Sequence, residues 1–312
     1  MLPTTQTQPE VLPAEHLPRR PVHAARRGDI QAARAPLPLL AVGLFVAVLG
    51  ITPSMEAKAD DNVKLPPIIA HRGASYAAPE NTLAAFKLAW DEQADGIEGD
   101  FYLSADGRII CIHDRTTKRT AGEELTVPEA TWEQLQQLDV GKWKAPQYAG
   151  ERVPALPQVL ATVGPGKKIY IEIKCGAEVV PTLVETIKAS KLLPEQITVI
   201  SFQKEVIAQI KQQLPDITAN WLTGFKQQED GSWLPAPATI VETLRELKAD
   251  GVGVGAQRGA LTPELATALK EAGFGFHVWT VDDPELAAYL VKLGVDSITT
   301  NRPGGLRKEL SE

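Results

Sequence analysis

From residue 66 onward, short β-branched and aliphatic runs alternate with stretches whose apolar positions recur every three to four residues. The first pattern predicts buried strands and the second amphipathic helices. The predicted strands are Ile68–Ala70, Gly96–Leu103, Ile169–Ile173, Ile197–Ser201, Ile217–Leu222, Gly251–Val254, Phe274–Thr280 and Ser297–Thr300. Between the first two, Leu83, Phe86 and Trp90 fall at i, i+3 and i+7 behind Asn81-Thr82, which reads as a helix with a polar N-terminal cap. Thr262-Pro263 and Asp283-Pro284 each pair a capping residue with proline at the first helical position. Gly96, Gly251, Gly273 and Gly294 stand where helices give way to strands, so each is expected to form a left-handed C-terminal cap. Eight strands separated by helices over about 250 residues predict an α/β fold, a parallel (β/α)₈ TIM barrel.

A further apolar run, Arg108–Ile112, exceeds the count of eight. It follows Ser104-Ala105-Asp106-Gly107, and a two-residue connection at Ala105-Asp106 predicts an antiparallel hairpin on the second strand. In that register Ser104 faces Gly107, Asp100 faces Cys111 and Glu98 faces His113, and facing residues share one side of the sheet. A small insertion of about residues 115–156 is expected after the hairpin. It should be structured, because a bare loop of that length is uncommon in a compact domain. Trp132, Leu135 and Leu138 mark one face of a short helix within it.

The first 59 residues break the pattern. Residues 1–36 carry Arg19, Arg20, Arg26, Arg27 and Arg34 without apolar periodicity, Leu37–Ile51 is a 15-residue apolar run, and Ala57-Lys58-Ala59 supplies small residues after it. That layout predicts an export leader over 1–59, a single domain over 60–312, and a periplasmic or extracellular product. The apolar run is shorter than the roughly 20 residues of a membrane-spanning helix, so no stable anchor is expected after cleavage. A tether through an uncleaved segment is the alternative. Without the leader the chain has 26 Lys and Arg against 35 Asp and Glu, a net charge of −9. Nucleic acid is therefore not an expected partner, since a phosphate backbone demands basic surface. Cys111 and Cys175 are expected to point opposite ways from their strands and to remain free thiols. No pattern fixes an oligomeric state.

Ionisable groups collect where the apolar runs end: His71-Arg72-Gly73, Glu98-Gly99-Asp100, His113-Asp114 and Glu172-Ile173-Lys174. In a barrel of this type the strand C-termini share one mouth, where chemistry is done. Glu98 and Asp100 lie on one face of one strand, as do Glu172 and Lys174 on another. Three crowded carboxylates repel unless a cation intervenes. Oxygen-only ligands favour one divalent cation, Mg²⁺ or Ca²⁺, over Zn²⁺. His71 and His113 suit proton transfer, while Arg72 and Lys174 suit a phosphate. Three carboxylates, a divalent ion, two basic side chains and a phosphodiester together carry no net charge. Plainer roles exist for each residue alone: His71 as a core histidine, His113-Asp114 as a surface turn, Asn81 as a helix cap, Trp279 as packing in the barrel mouth. The combination instead points to metal-assisted phosphodiester cleavage.

These islands, with Asn81-Thr82, Asp106-Gly107, Tyr148-Ala149-Gly150-Glu151, Trp279-Thr280-Val281 and Thr300-Asn301-Arg302-Pro303, resemble the glycerophosphodiester phosphodiesterase family in order and spacing over residues 66–308. The resemblance implies hydrolysis of glycerophosphodiesters, small-molecule substrates, to glycerol 3-phosphate and an alcohol with a divalent metal. It implies ligation by Glu98, Asp100 and Glu172, acid–base roles for His71 and His113, and support from Glu80, Asn81 and Asp114. Arg72, Lys174 and Trp279 then bind substrate, Trp279 lining a pocket for the glycerol or the leaving group. Asp282 stands where many relatives carry Asn, and Gly99 occupies the variable position between two carboxylates. Two alternatives stand beside this reading. A lysophospholipase D or sphingomyelinase D type enzyme would use the same groups on a lipid, and an exported barrel without catalysis would bind only.

Overall fold

The computed structural model describes residues 65–312, so the leader expected over 1–59 lies outside the described residues. In chain order the strands are β1 (Ile68–Ala70), β2 (Gly96–Leu103), β3 (Ile109–Cys111), β4 (Lys168–Ile173), β5 (Ile197–Ser201), β6 (Thr218–Thr223), β7 (Lys226–Gln227), β8 (Trp233–Leu234), β9 (Gly251–Gly255), β10 (Gly275–Trp279) and β11 (Ser297–Thr300). β1 pairs in parallel with both β2 and β11, which closes β1, β2, β4, β5, β6, β9, β10 and β11 into an eight-stranded barrel. The helices are α1 (Leu83–Asp91), α2 (Lys118–Ala121), α3 (Trp132–Leu135), α4 (Leu156–Leu160), α5 (Val180–Ala189), α6 (Lys204–Gln213), α7 (Pro237–Leu247), α8 (Pro263–Ala272), α9 (Pro284–Leu293) and α10 (Pro303–Ser311). The small β7–β8 hairpin, turning at Asp230-Gly231, was not expected from the pattern.

Strand alternation divides the core in two. Ile97, Ile171, Val199, Val252 and Val278 pack outward against helix residues such as Phe86, Leu183, Ile207 and Leu244. Ile69, Tyr170, Ile200 and Leu222 form a separate cluster with Trp279, which fills the barrel interior. Thr82, Thr262 and Asp283 cap α1, α8 and α9 with their side-chain oxygens, as their sequence contexts predict. Gly273 and Gly294 are left-handed C-caps. Gly96 and Gly251 are not. They lie inside β2 and β9, and the left-handed residues after α1 and α7 are Gln93 and Lys248. Glycine is required at those strand positions by close approach: a Cβ on Gly251 would sit 2.6 Å from the carbonyl oxygen of Gly275.

The β2–β3 hairpin forms, but one residue out of the expected register. Phe101 faces Cys111 and Leu103 faces Ile109. The loop has three residues, Ala105-Asp106-Gly107, closed by the Ser104 amide donating to the Arg108 carbonyl at 2.8 Å. Gly107 adopts φ +77°, so it is used as the left-handed residue of a bulged turn rather than as a strand residue. Asp100 therefore opposes Ile112, whose amide donates to its carbonyl at 2.8 Å, and Glu98 does not face His113.

The insertion is structured and has its own core of Ile110, Ile112, Val127, Ala130, Leu135, Leu138, Val140 and Val153. A capping box between Thr131 and Gln134 opens α3. The insertion is pinned to the segment after β1: Lys144 Nζ donates to the Ser75 carbonyl at 2.8 Å and the Tyr148 hydroxyl to that of Ala77 at 3.2 Å. Cys111 is buried, Cys175 is partly buried, and both are free thiols. Among the described residues no helix is long and apolar enough to cross a membrane.

Candidate active site

The register of the barrel sets Asp100 beside Glu172 on neighbouring strands β2 and β4. Glu98 lies two residues before Asp100, on the same face of β2. Ligand oxygens of Glu98, Asp100 and Glu172 all lie within 4.8 Å of one another, and all three residues are buried. The chain turns sharply after β1, with Arg72 at φ +55° and Gly73 at φ +80°. That turn aims the Arg72 amide at Glu98 Oε2, 2.9 Å away, and brings its guanidinium Nε to 3.1 Å from Asp100 Oδ2. Lys174, at the end of β4, donates to Glu172 Oε1 at 2.6 Å and lies 3.4 Å from Asp100 Oδ1.

Asn81 is not the cap of α1; Thr82 is. Asn81 instead sits at φ +57° and grips Asp100 twice, its Nδ2 donating to Oδ2 at 2.8 Å and its Oδ1 accepting from the Asp100 amide at 3.1 Å. This pins one carboxylate oxygen of Asp100. The other, Oδ1, has no hydrogen-bond partner, nor has Glu98 Oε1. Burial, then the charges of Asp100 and Glu172, push Glu98 well above the ordinary carboxylate range. Glu172 is pushed up to about 7, chiefly by burial and by Asp100. Burial also opposes ionisation of Asp100, but Arg72 and Lys174 outweigh it and hold that carboxyl below its ordinary value. Two cations therefore do not satisfy three carboxylates, and orphaned oxygens converge on one point. That donor set fits a hard divalent cation.

Each histidine is oriented by a partner. His71 Nδ1 is 2.8 Å from Asn301 Oδ1, an acceptor, so that nitrogen donates. Asn301 is fixed by Asp282, whose carboxylate accepts from the Asn301 amide at 2.8 Å, from its Nδ2 at 2.5 Å and from the Thr300 hydroxyl at 2.7 Å. His113 Nδ1 lies 2.7 Å from Asp114 Oδ1, and Asp114 Oδ2 accepts from Arg119 Nε at 2.6 Å. Burial opposes ionisation of Asp114, but Arg119 and His113 outweigh it, so the carboxylate is ionised and His113 Nδ1 donates. Burial and Arg72 lower the pKa of His71, which favours its neutral form. In both rings Nε2 is left for the pocket.

That pocket is a cavity of about 190 Å³. His71, Arg72, Glu98, His113, Glu172 and Lys174 line one side, and Ile200, Phe202, Leu222 and Trp279 the other. Phe202 meets Trp279 edge to face at 5.6 Å. Trp279 Nε1 is buried without a partner. Glu80 stands behind Arg72, accepting from its Nη1 at 3.0 Å. The structure thus brings together the candidate site residues His71, Arg72, Glu80, Asn81, Glu98, Asp100, His113, Asp114, Glu172, Lys174 and Trp279. His113 arrives by the turn after β3 rather than by the expected pairing with Glu98. Three polar groups that hold the site's side chains, Asn301, Asp282 and Arg119, were not singled out as site residues, nor were the cavity-lining Ile200, Phe202 and Leu222. Asn301 follows a strand end just as His71 does, which was the available signal. Arg119 carries none, because its partner Glu80 lies 39 residues away.

A closed (β/α)₈ barrel with buried carboxylates, phosphate-competent cations and two oriented imidazoles at its C-terminal mouth defines a hydrolase of phosphate esters. The chain matches the family model described as "Glycerophosphoryl diester phosphodiesterase family" over residues 71–305. It is 35% identical over 240 residues to a glycerophosphodiester phosphodiesterase of Caldanaerobacter subterraneus, covering 76% of this chain and 94% of that one. A glycerophosphodiester phosphodiesterase of Bacillus subtilis is 32% identical over 287 residues, covering 84% and 94%. Among solved structures, an Oleispira antarctica phosphodiesterase in complex with the product sn-glycerol-3-phosphate superposes with a TM-score of 0.71 at 27% identity, covering 80% and 98%. The chain belongs to the glycerophosphoryl diester phosphodiesterase family.

Proposed function

We propose that the protein hydrolyses glycerophosphodiesters to glycerol 3-phosphate and an alcohol, using one divalent cation, Mg²⁺ or Ca²⁺. The observation that carries this reading is the convergence of Glu98, Asp100 and Glu172 with His71, His113, Arg72 and Lys174 on one cavity of about 190 Å³. Glu98, Asp100 and Glu172 would hold the cation, which when bound supplies positive charge to the phosphate and to its developing anionic oxygens. Arg72 and Lys174 bind the phosphate and stabilise the same charge. One histidine takes a proton at Nε2 from the attacking oxygen, and the other delivers a proton to the departing alkoxide. The Asn301 carbonyl and the Asp114 carboxylate keep those two Nε2 atoms turned to the pocket. Ile200, Phe202, Leu222 and Trp279 exclude water from the other side and cover the carbon skeleton of the glycerol.

The test is release of glycerol 3-phosphate from a glycerophosphodiester panel, with and without EDTA. Turnover abolished by chelation and restored by Mg²⁺ or Ca²⁺ supports the reading. No release from any diester would favour a barrel that only binds. The apolar wall comprises four side chains beside a small cavity, which suits a glycerol moiety better than an acyl chain. Faster turnover of lysophosphatidylcholine than of glycerophosphocholine would shift the assignment to a lysophospholipase D. The reading extends to an exported enzyme, which the N-terminus of the mature protein, determined by mass spectrometry, would test.

A further inference from the structure

We propose that Arg119, on the insertion helix α2, is a positioning residue that sets His113 and Arg72 at the same time. The inference rests on the hydrolase reading above and adds a residue to it. The guanidinium bonds two carboxylates, Asp114 five residues before it and Glu80 39 residues before it. Its Nη1 and Nη2 donate to Glu80 Oε2 and Oε1 at 2.8 and 2.7 Å, and its Nε donates to Asp114 Oδ2 at 2.6 Å. Each carboxylate in turn holds a group that lines the cavity. Glu80 Oε1 accepts from Arg72 Nη1 at 3.0 Å, and Asp114 Oδ1 accepts from His113 Nδ1 at 2.7 Å.

The planar fork of arginine matters here. It fills both oxygens of Glu80 and turns its Nε–H to Asp114, which fixes the spacing between the two carboxylates and adds to the Cys111 Sγ–Asn81 Oδ1 contact at 3.3 Å between the same segments. Glu80 lies only 12% exposed between two arginines, whereas Arg119 is 44% exposed. An isolated surface ion pair of that exposure would add little stability. The consequence of this network is geometric: without Arg119, Asp114 can swing to solvent and release the His113 ring. Glu80 would then also be free to draw Arg72 away from Asp100, 3.1 Å from its Nε. The insertion thus contributes to the active site through one side chain that never meets the substrate.

The experiment compares Arg119→Ala and Arg119→Lys with the wild-type enzyme, alone and in a His113→Ala background. Loss of positioning lowers kcat of Arg119→Ala about tenfold or more through His113, while the looser hold on Arg72 raises KM by less than about threefold, because Lys174 still binds the phosphate. Arg119→Lys restores the charge but not the fork, and recovers part of the loss. In the His113→Ala background the Arg119→Ala change costs much less, since its main route of action is gone. A second readout is independent of turnover: ¹⁵N spectra of the His113 ring show a single tautomer in the wild type and an averaged signal in Arg119→Ala. Unchanged kcat, or equal losses in both backgrounds, would overturn the proposal, as would an unchanged ring signal. Failure of the wild type to hydrolyse any glycerophosphodiester would instead sink the functional reading, and the ring signal would still decide the positioning role.

Discussion

Nδ1 of His71 and Oδ1 of Asn301, 230 residues apart in the chain, stand 2.8 Å apart across the β1–β11 seam of the barrel. The carbonyl fixes one tautomer of the imidazole, and Asp282 fixes the carbonyl through the Asn301 amide and Nδ2. Replacing Asn301 by Leu removes the acceptor at similar size. Turnover should fall about tenfold to a hundredfold, the scale of a misplaced acid–base group. Substrate affinity should change far less. An unchanged kcat in steady-state assays would show that His71 needs no such orientation.

The turn that aims Arg72 depends on Gly73. A Cβ there would lie 2.6 Å from the carbonyl carbon of Ala85 and 2.7 Å from its Cβ, and the backbone is already at φ +80°. Gly73→Ala therefore combines a clash against helix backbone with an unfavourable dihedral. The expected cost is about 2–4 kcal/mol in urea unfolding, with activity lost in proportion to the displacement of Arg72. Wild-type stability in this variant would mean that the turn relaxes freely.

Ion binding and protons should compete at the carboxylate cluster. Glu172 is pushed up to about 7 and Glu98 is raised well above its ordinary value, so both hold protons more tightly when folded than when unfolded. For a raised carboxylate, stability is fully present below its unfolded value of 4.5 and is lost as pH rises through about 7. The metal-free protein should accordingly lose part of its thermal stability between these limits. Added Mg²⁺ or Ca²⁺ should raise Tm more at pH 8 than at pH 5, because ligands must shed protons to bind. Asp100→Asn should abolish that ion-dependent shift. Equal shifts at both pH values would argue against a site built from these groups.

The barrel was legible because its period is local: β-branched runs of strand length, proline after a capping residue and glycine after a helix each reflect the few residues that form them. Glu98, Asp100, Glu172 and Lys174 were legible for the same reason, since strand alternation fixes which neighbours share a face. What failed depended on a single backbone conformation. Gly107 takes a left-handed dihedral and shifts the β2–β3 pairing by one. Gly96 and Gly251 turned out to be spacers between strands, while Lys248 caps α7 despite its Cβ. Arg119 was invisible for a different reason. Its partner Glu80 is 39 residues away, on a segment whose path no periodicity specifies.

His277 offers a pH test away from the carboxylate cluster. It lies two residues before Trp279 on β10, on the same inward face, with its Nδ1 2.8 Å from the Ser297 hydroxyl and its ring edge-on to Tyr170 at 6.3 Å. Burial, outweighing the Asp296 charge, lowers its pKa from 6.5 to about 4. A depressed histidine stabilises the fold fully above its unfolded value, and that contribution is lost as pH falls from about 6.5 through about 4, where folding must proceed with an uncharged ring while the unfolded chain takes a proton. Glu98 and Glu172 titrate in an overlapping range with the opposite sign, so the comparison has to be a difference between two proteins. His277→Gln keeps a polar group near Ser297 and removes the titration. Its Tm should therefore fall less than that of the wild type between pH 6.5 and 4, with little change in kcat at neutral pH because the ring lies below the cavity and does not line it. Parallel Tm curves over that range, measured by calorimetry at matched ionic strength, would show that the folded barrel already admits the protonated imidazole.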